Sequence, residues 1–257
     1  MMPALGFIGT GTISAAILRG LKTSPLAGWP ALLSPRNTEL ASALAASLPG
    51  VTVASDNQAV IDGATMVILA VRPQVAEAVL RPLRIRVDQT VISLIAGLPI
   101  DTIKSWTGAD RVCRAVPLPF VQQRSDVTPV FPPDPEVLAL FNALGRALPV
   151  EDLATFEIYS ASSALMGTYF GILETAEDWA VAQGLAPADA RAYFSGLFSN
   201  LGEVLRNSQS PLHDLRIAHS TQGGLNEQVF ARFSQAGGGA ALGDALSSVL
   251  ARVRAAH

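Results

Sequence analysis

The sequence is short of charge, cysteine, histidine and lysine. Asp, Glu, Lys and Arg make up 15% of its 257 residues, against roughly 25% in an average soluble protein. The formal net charge is −3, so no basic field invites nucleic acid or an anionic membrane. One cysteine, Cys113, can form neither an intrachain disulfide nor a cysteine-cluster zinc site. Within an apolar segment it reads as a buried, inert thiol. The three histidines are His213, His219 and His257. They are too few for a histidine metal site, and no metal is expected. Long apolar runs are also missing. A membrane-spanning helix needs about 20 consecutive, mostly apolar residues. The charge-free opening from Met1 to Leu18 is broken by Gly6, Thr10, Gly11, Thr12 and Ser14. No Lys or Arg precedes its apolar part, so it does not read as a signal peptide either. A soluble, cytoplasmic protein with no membrane and no nucleic-acid partner is expected.

What the chain has in quantity is apolar side chain, 49% of residues, which excludes disorder as its main state. The pattern divides near residue 150. Up to there it alternates: strands are predicted over 4–8, 31–33, 51–54, 66–71, 90–95 and 111–116. Helical spacing lies between them, and the run 66–71 is apolar throughout, as in a strand buried on both faces. Such alternation implies a doubly wound parallel sheet. A short strand over 127–131 and a helix over 135–148 close this domain. From residue 151 to 257 the pattern is helical throughout. Residues 153–182 carry Phe156, Tyr159, Leu165, Met166, Phe170, Leu173 and Trp179 almost all round, which predicts burial on every face. One small sheet domain cannot cover so much apolar helix, so this half is predicted to form a homodimer. The expected fold class is α/β: an N-terminal Rossmann-type domain over 1–150 and an all-α dimerisation and substrate domain over 151–257.

The sharpest local signal is Gly6-Phe7-Ile8-Gly9-Thr10-Gly11-Thr12-Ile13-Ser14. It follows a predicted strand and opens a predicted helix. Gly9 permits a tight turn. Gly11 lets the backbone approach a pyrophosphate, which then meets the free N–H groups of Thr12 and Ile13 at the positive helix end. The third position of this glycine pattern is Ser14. After the second strand, an NAD site would carry an acid for the ribose 2′-hydroxyl. Here the residues are Ser34-Pro35-Arg36-Asn37. A hydroxyl, an arginine and an amide suit a 2′-phosphate, so NADP (as NADPH) is the predicted cofactor.

These motifs, in this order, resemble the pyrroline-5-carboxylate reductase family over nearly the whole chain. The glycine turn matches the family's start. Asn57 matches an asparagine near the adenosine ribose. Ala70-Val71-Arg72-Pro73 is similar to Ala-Val-Lys-Pro, and Ser93 through Ala96 and Gly97 to Ser-x-x-Ala-Gly. Ser220-Thr221-Gln222-Gly223-Gly224 resembles Ser-Pro-Gly-Gly-Thr. The resemblance implies hydride transfer from NAD(P)H to a cyclic imine and a helical domain interlocked with a second subunit. The departures cluster on the substrate side. Leu118 stands where the family has Asn, and Ser163 to Thr168 replace a Gly-Ser-Gly-Pro-Ala-Tyr loop and helix start. Asn226 falls on the family's Thr. Leu118, Phe120, Leu165 and Met166 would make the pocket more apolar. Glu227 would favour a cationic iminium over an anionic acid; otherwise it is a solvated first-turn acid. Asn226 and Thr168 are the candidates for orienting the imine nitrogen. Leu118, Met166, Gly223, Gly224 and Glu227 are the candidate substrate contacts. Three readings stay open: pyrroline-5-carboxylate reduction, reduction of another imine or hydride exchange with a deazaflavin, and a non-catalytic NADPH sensor or scaffold.

Overall fold

The structure is a computed structural model, and it describes residues 3–255. His257 and the first two residues of the Met1–Leu18 opening lie outside the described residues. The chain alternates through β1 (Leu5–Ile8), α1 (Thr12–Lys22), β2 (Ala31–Leu33), α2 (Thr38–Ser47), β3 (Val51–Val53), α3 (Asn57–Asp62), β4 (Met66–Leu69), α4 (Pro73–Leu80), β5 (Thr90–Ser93), α5 (Ile100–Thr107) and β6 (Arg111–Ala115). A 3-10 turn at Pro119–Gln123 leads to β7 (Asp126–Phe131), α6 (Pro135–Ala143), β8 (Gly145–Pro149) and α7 (Leu153–Ser162). Five helices follow: α8 (Leu165–Ala182), α9 (Pro187–Asn207), α10 (Leu212–Ala218), α11 (Leu225–Gln235) and α12 (Gly238–Arg254).

The strands form one sheet in the order β3-β2-β1-β4-β5-β6-β7-β8. The first six are parallel, with Leu5 opposite both Ala31 and Met66. β1, β4 and β5 are buried along their whole length. This is why their sequences read as continuous apolar runs rather than as alternation. Apolar clusters cover both faces. Phe7, Ile17, Leu33 and Phe141 belong to one, and Ile8, Val67, Leu69 and Ile103 to the other. The order reverses between β1 and β4, the position where open sheets of this kind bind ligands beyond their carboxyl ends.

Two expectations are corrected. The predicted helix over 135–148 stops at Ala143, and β8 follows. Gly145 turns the chain at φ +142°, where a Cβ would overlap the Asp126 backbone. β8 then pairs in parallel with β7, which itself runs antiparallel to β6. The sheet is therefore mixed. The apolar stretch 153–182 is likewise two helices, α7 and α8, parted at Ser163 and Ala164.

The chain divides into two compact units. One holds the described residues up to Ser163 and resumes at Leu250; the other runs from Ala164 to Val249. The first unit thus continues past residue 150 to include α7. The second is helical. Within it only Leu173, Ala180 and Ala190 are buried apolar residues. Trp179, Tyr193, Leu225 and Val229 are 64–80% exposed. The burial on every face predicted for residues 153–182 is absent within a single copy of the chain. Among the described residues, no helix is long and apolar enough to cross a membrane.

Candidate functional site

Gly9 follows β1 with φ +101°, and a Cβ there would stand 2.5 Å from the Ala70 carbonyl oxygen. Both the left-handed backbone and the close approach to β4's end demand glycine. The turn is tied to the end of β2. The Gly9 N–H donates to the Ser34 hydroxyl at 2.9 Å, and the Thr10 hydroxyl donates to the Ser34 carbonyl at 3.0 Å. The Asn37 amide donates to the Thr10 carbonyl at 3.1 Å. From inside α1, the Ser14 hydroxyl donates back to the Gly9 carbonyl.

Gly11 caps α1 with no side-chain hydrogen bond, and no acid lies in the first turn. The first N–H groups of a helix have no intrahelical partner, and the helix dipole is positive there. A Cβ on Gly11 would meet nothing within 4 Å, so the approach to those donors is open. The cavity in front is lined by Gly9, Thr10, Gly11, Arg36, Asn37, Ala70, Val71, Arg72 and Val75. Its two charged groups, Arg36 and Arg72, are both cationic. Open helix N–H groups and two guanidiniums fit a pyrophosphate and a further phosphate.

Seven of the expected cofactor residues therefore share one cavity: Gly9, Thr10, Gly11, Arg36, Ala70, Val71 and Arg72. Thr12 and Ile13 form the first turn of α1, and Pro73 the first position of α4. Ser34 is buried, with its hydroxyl engaged by the turn. A 2′-phosphate would thus meet Arg36 and Asn37 before Ser34. Asn57 opens α3, and Ala96 and Gly97 follow β5; they sit at the same sheet edge outside the lining of this cavity. Val75 was not among the expected residues. The signal for it was Pro73, which fixes a helix start and so turns residue 75 toward its first turn.

A second cavity in the same unit lies beyond β6, lined by Val116, Leu118, Val127, Pro129, Tyr159, Ser162 and Ser163. The Leu118 N–H donates to the Asp126 carboxylate at 3.0 Å, and the Thr128 hydroxyl donates to the same oxygen at 2.6 Å. Arg114 is buried, with its guanidinium 5.0 Å from the Phe156 ring centre. Burial pushes its pKa down, and the Glu157 carboxylate opposes that. Burial likewise pushes the Cys113 thiol up to about 12.

The remaining candidates lie in the helical unit. Thr168 and Met166 are near the start of α8. Gly223, at φ +71°, and Gly224 make the turn before α11. The Glu227 carboxylate accepts the Gly223 N–H, and the Asn226 amide donates to the His219 carbonyl at 2.6 Å. Glu227 thus closes the start of its own helix in the manner of a capping box.

Known proteins resemble the chain in both halves. Residues 4–97 match the family described as NADP oxidoreductase, coenzyme F420-dependent, and residues 155–256 match pyrroline-5-carboxylate reductase dimerisation. A curated pyrroline-5-carboxylate reductase of Pseudomonas aeruginosa is 28% identical over 182 residues, spanning 66% of each chain. The one from Methanosarcina acetivorans is 28% identical over 196 residues, 70% of this chain and 71% of that one. The solved 1-pyrroline-5-carboxylate reductase of Streptococcus pyogenes superposes with TM-score 0.86 over 99% of both chains at 23% identity.

Proposed function

We propose that the chain, whose two halves match an NADP oxidoreductase family and the pyrroline-5-carboxylate reductase dimerisation family, is a pyrroline-5-carboxylate reductase-like, NADPH-dependent reductase of carbon–nitrogen double bonds. The observation that carries the reading is one cavity in which the uncapped start of α1 meets Arg36 and Arg72. The Gly9–Gly11 turn and α1 would hold the pyrophosphate. Arg36, with Asn37 beside it, would hold the adenosine 2′-phosphate. Bound there, the dihydronicotinamide supplies a hydride. The imine carbon receives it, the C=N bond becomes C–N, and the nitrogen takes a proton to give an amine. A protonated imine is already electrophilic, so the protein need only hold it about 3–3.5 Å from the donor carbon and orient its nitrogen. A missing strong general acid is therefore no objection.

The proposal extends to Asn226 and Thr168 as orienting groups, and to Leu118, Met166, Gly223, Gly224 and Glu227 as substrate contacts. It also extends to a homodimer through the helical unit, whose exposed apolar side chains a second copy would cover. Loss of nicotinamide absorbance tests the activity, with pyrroline-5-carboxylate and a panel of other cyclic imines. Consumption of NADPH with any of them supports the reading. Consumption only with a deazaflavin, a reaction class named in the family matched by residues 4–97, would replace it. Tight NADPH binding with no turnover would leave a sensor.

A further inference from the structure

We infer that the cavity beyond β6 is a subsite for an uncharged, apolar substituent on the imine, so that the preferred substrate is hydrocarbon-substituted rather than carboxylated. The inference rests on the reductase reading and names its substrate class.

Topology places this cavity at the cofactor's edge of the sheet. The segment Val116–Leu118 continues past the carboxyl end of β6, with the Val116 N–H bonded to the Pro129 carbonyl at 3.2 Å. β7 runs the other way, so its first residues, with Val127, lie at that same edge. β8 is parallel to β7, so α7 starts from the opposite edge and runs back. Its last turn brings Tyr159, Ser162 and Ser163 to the cavity. The Gly9–Gly11 turn after β1 and Ala96–Gly97 after β5 share this edge.

The lining then decides what fits. Val116, Leu118, Val127, Pro129 and the Tyr159 ring present carbon. The two serine hydroxyls already donate to their own helix, Ser162 to the Ile158 carbonyl at 2.8 Å and Ser163 to the Ser160 carbonyl at 2.7 Å. Among the described residues, no Lys, Arg, Asp or Glu lines the space. Arg114, two residues before Val116 on the same strand face, is buried against Phe156, and its charge is engaged by the Glu157 carboxylate, which offsets the effect of burial. Asp126, on the neighbouring strand, is buried and holds Leu118 and Thr128. A substrate carboxylate here would lose water and gain no free cation. An alkyl or aryl group would lose nothing and bury its surface.

The test compares 5-methyl- and 5-propyl-1-pyrroline with 1-pyrroline-5-carboxylate, using the intact protein and NADPH. Each added methylene should raise kcat/KM roughly threefold to fivefold until the cavity is full, and the carboxylated imine should be the poorest of the three. Leu118→Lys should reverse the order by supplying a cation, with NADPH affinity, read by fluorescence, unchanged. Calorimetry with NADP+-loaded protein gives a readout free of turnover: 2-propylpyrrolidine should bind more tightly than proline. The inference is overturned if the carboxylated imine is preferred, if chain length has no effect, or if Leu118→Lys leaves the order unchanged. If no imine consumes NADPH, the reductase reading fails, and the calorimetric comparison still judges the cavity. No binding of 2-propylpyrrolidine to the assembled protein, with binding restored on dissociation, would assign the cavity to a second copy and overturn the inference.

Discussion

The Ser14 hydroxyl donates to the Gly9 carbonyl at 2.7 Å, and Ser14 is fully buried. The residue that departs from the glycine pattern is a tie across the phosphate turn, joining the first turn of α1 to the residue that opens it. Ser14→Ala should leave that carbonyl without its partner and cost about 1 kcal/mol. Thermal unfolding should show a drop of roughly 2–4 °C. Fluorescence titration should show weaker NADPH binding as the turn loosens. An unchanged melting point together with unchanged affinity would remove the tie from the account.

Arg36 lines the same cavity as the start of α1. A hydrogen bond to a charged group is worth roughly 1.5–3 kcal/mol. Arg36→Ala should therefore weaken NADPH binding at least tenfold and leave NADH binding unchanged. Arg36→Lys should recover only part of the loss, because a point charge lacks the bidentate fork. Equal losses for both dinucleotides would show that Arg36 does not read the 2′-phosphate.

The helical unit makes a prediction about assembly. Leu225 and Val229, four apart on α11, are 80% and 70% exposed. Sedimentation velocity should find the protein as a dimer or larger, and Leu225→Asp with Val229→Asp should shift it toward monomer. NADPH affinity should survive, because the phosphate turn belongs to the other unit. A monodisperse, stable wild-type monomer would contradict the proposed dimer.

Asp134 caps α6, accepting the N–H groups of Glu136 at 2.9 Å and Val137 at 3.3 Å. It also pairs with Arg111 at 2.7 Å. Burial alone would raise its carboxyl, but Arg111 and the two N–H groups outweigh burial and hold it below the ordinary 3.8. Its contribution to stability is complete above that value and lost as pH falls through the lower, folded one. Asp134→Ala should cost about 1–2 kcal/mol at neutral pH, with a smaller difference from wild type in strong acid. Denaturant titrations at several pH values check both statements.

Cys113 should resist alkylation. Its thiol is displaced from an ordinary value near 9 to about 12, first by burial and then by the charge of Asp134. At pH 8 the folded protein should incorporate almost no iodoacetamide over hours, and the denatured chain should react readily, as mass spectrometry would show. Any stabilisation from the neutral thiol is full below pH 9 and lost as the pH climbs toward 12. Rapid labelling of the folded protein would show that the strand opens.

The phosphate turn was legible because glycine and proline act locally. Gly9, Gly11 and Pro73 mark a tight turn and two helix starts without reference to distant residues. What was not legible depended on distant partners. Leu144, Ala147 and Leu148 fit helical spacing, and only the pairing of β8 with β7 makes that segment a strand. The break at Ser163 and Ala164 carries no proline or glycine, so an apolar run read as one helix. The tie of the Ser34 hydroxyl to Gly9 and Thr10, some 25 residues earlier, was not legible either. Burial around residues 153–182 was read from apolar content alone, which does not say whose surface covers it.

The chain leaves its first unit at Ser163 and rejoins it at Leu250, where Arg254 at the end of α12 reaches the buried Glu157 of α7 at 3.2 Å. That ion pair joins segments 97 positions apart, so the first unit gains it only once the chain has returned from the helical unit. A chain cut before Leu250 would keep the strands of the sheet and the Gly9–Gly11 turn, yet lose that clasp.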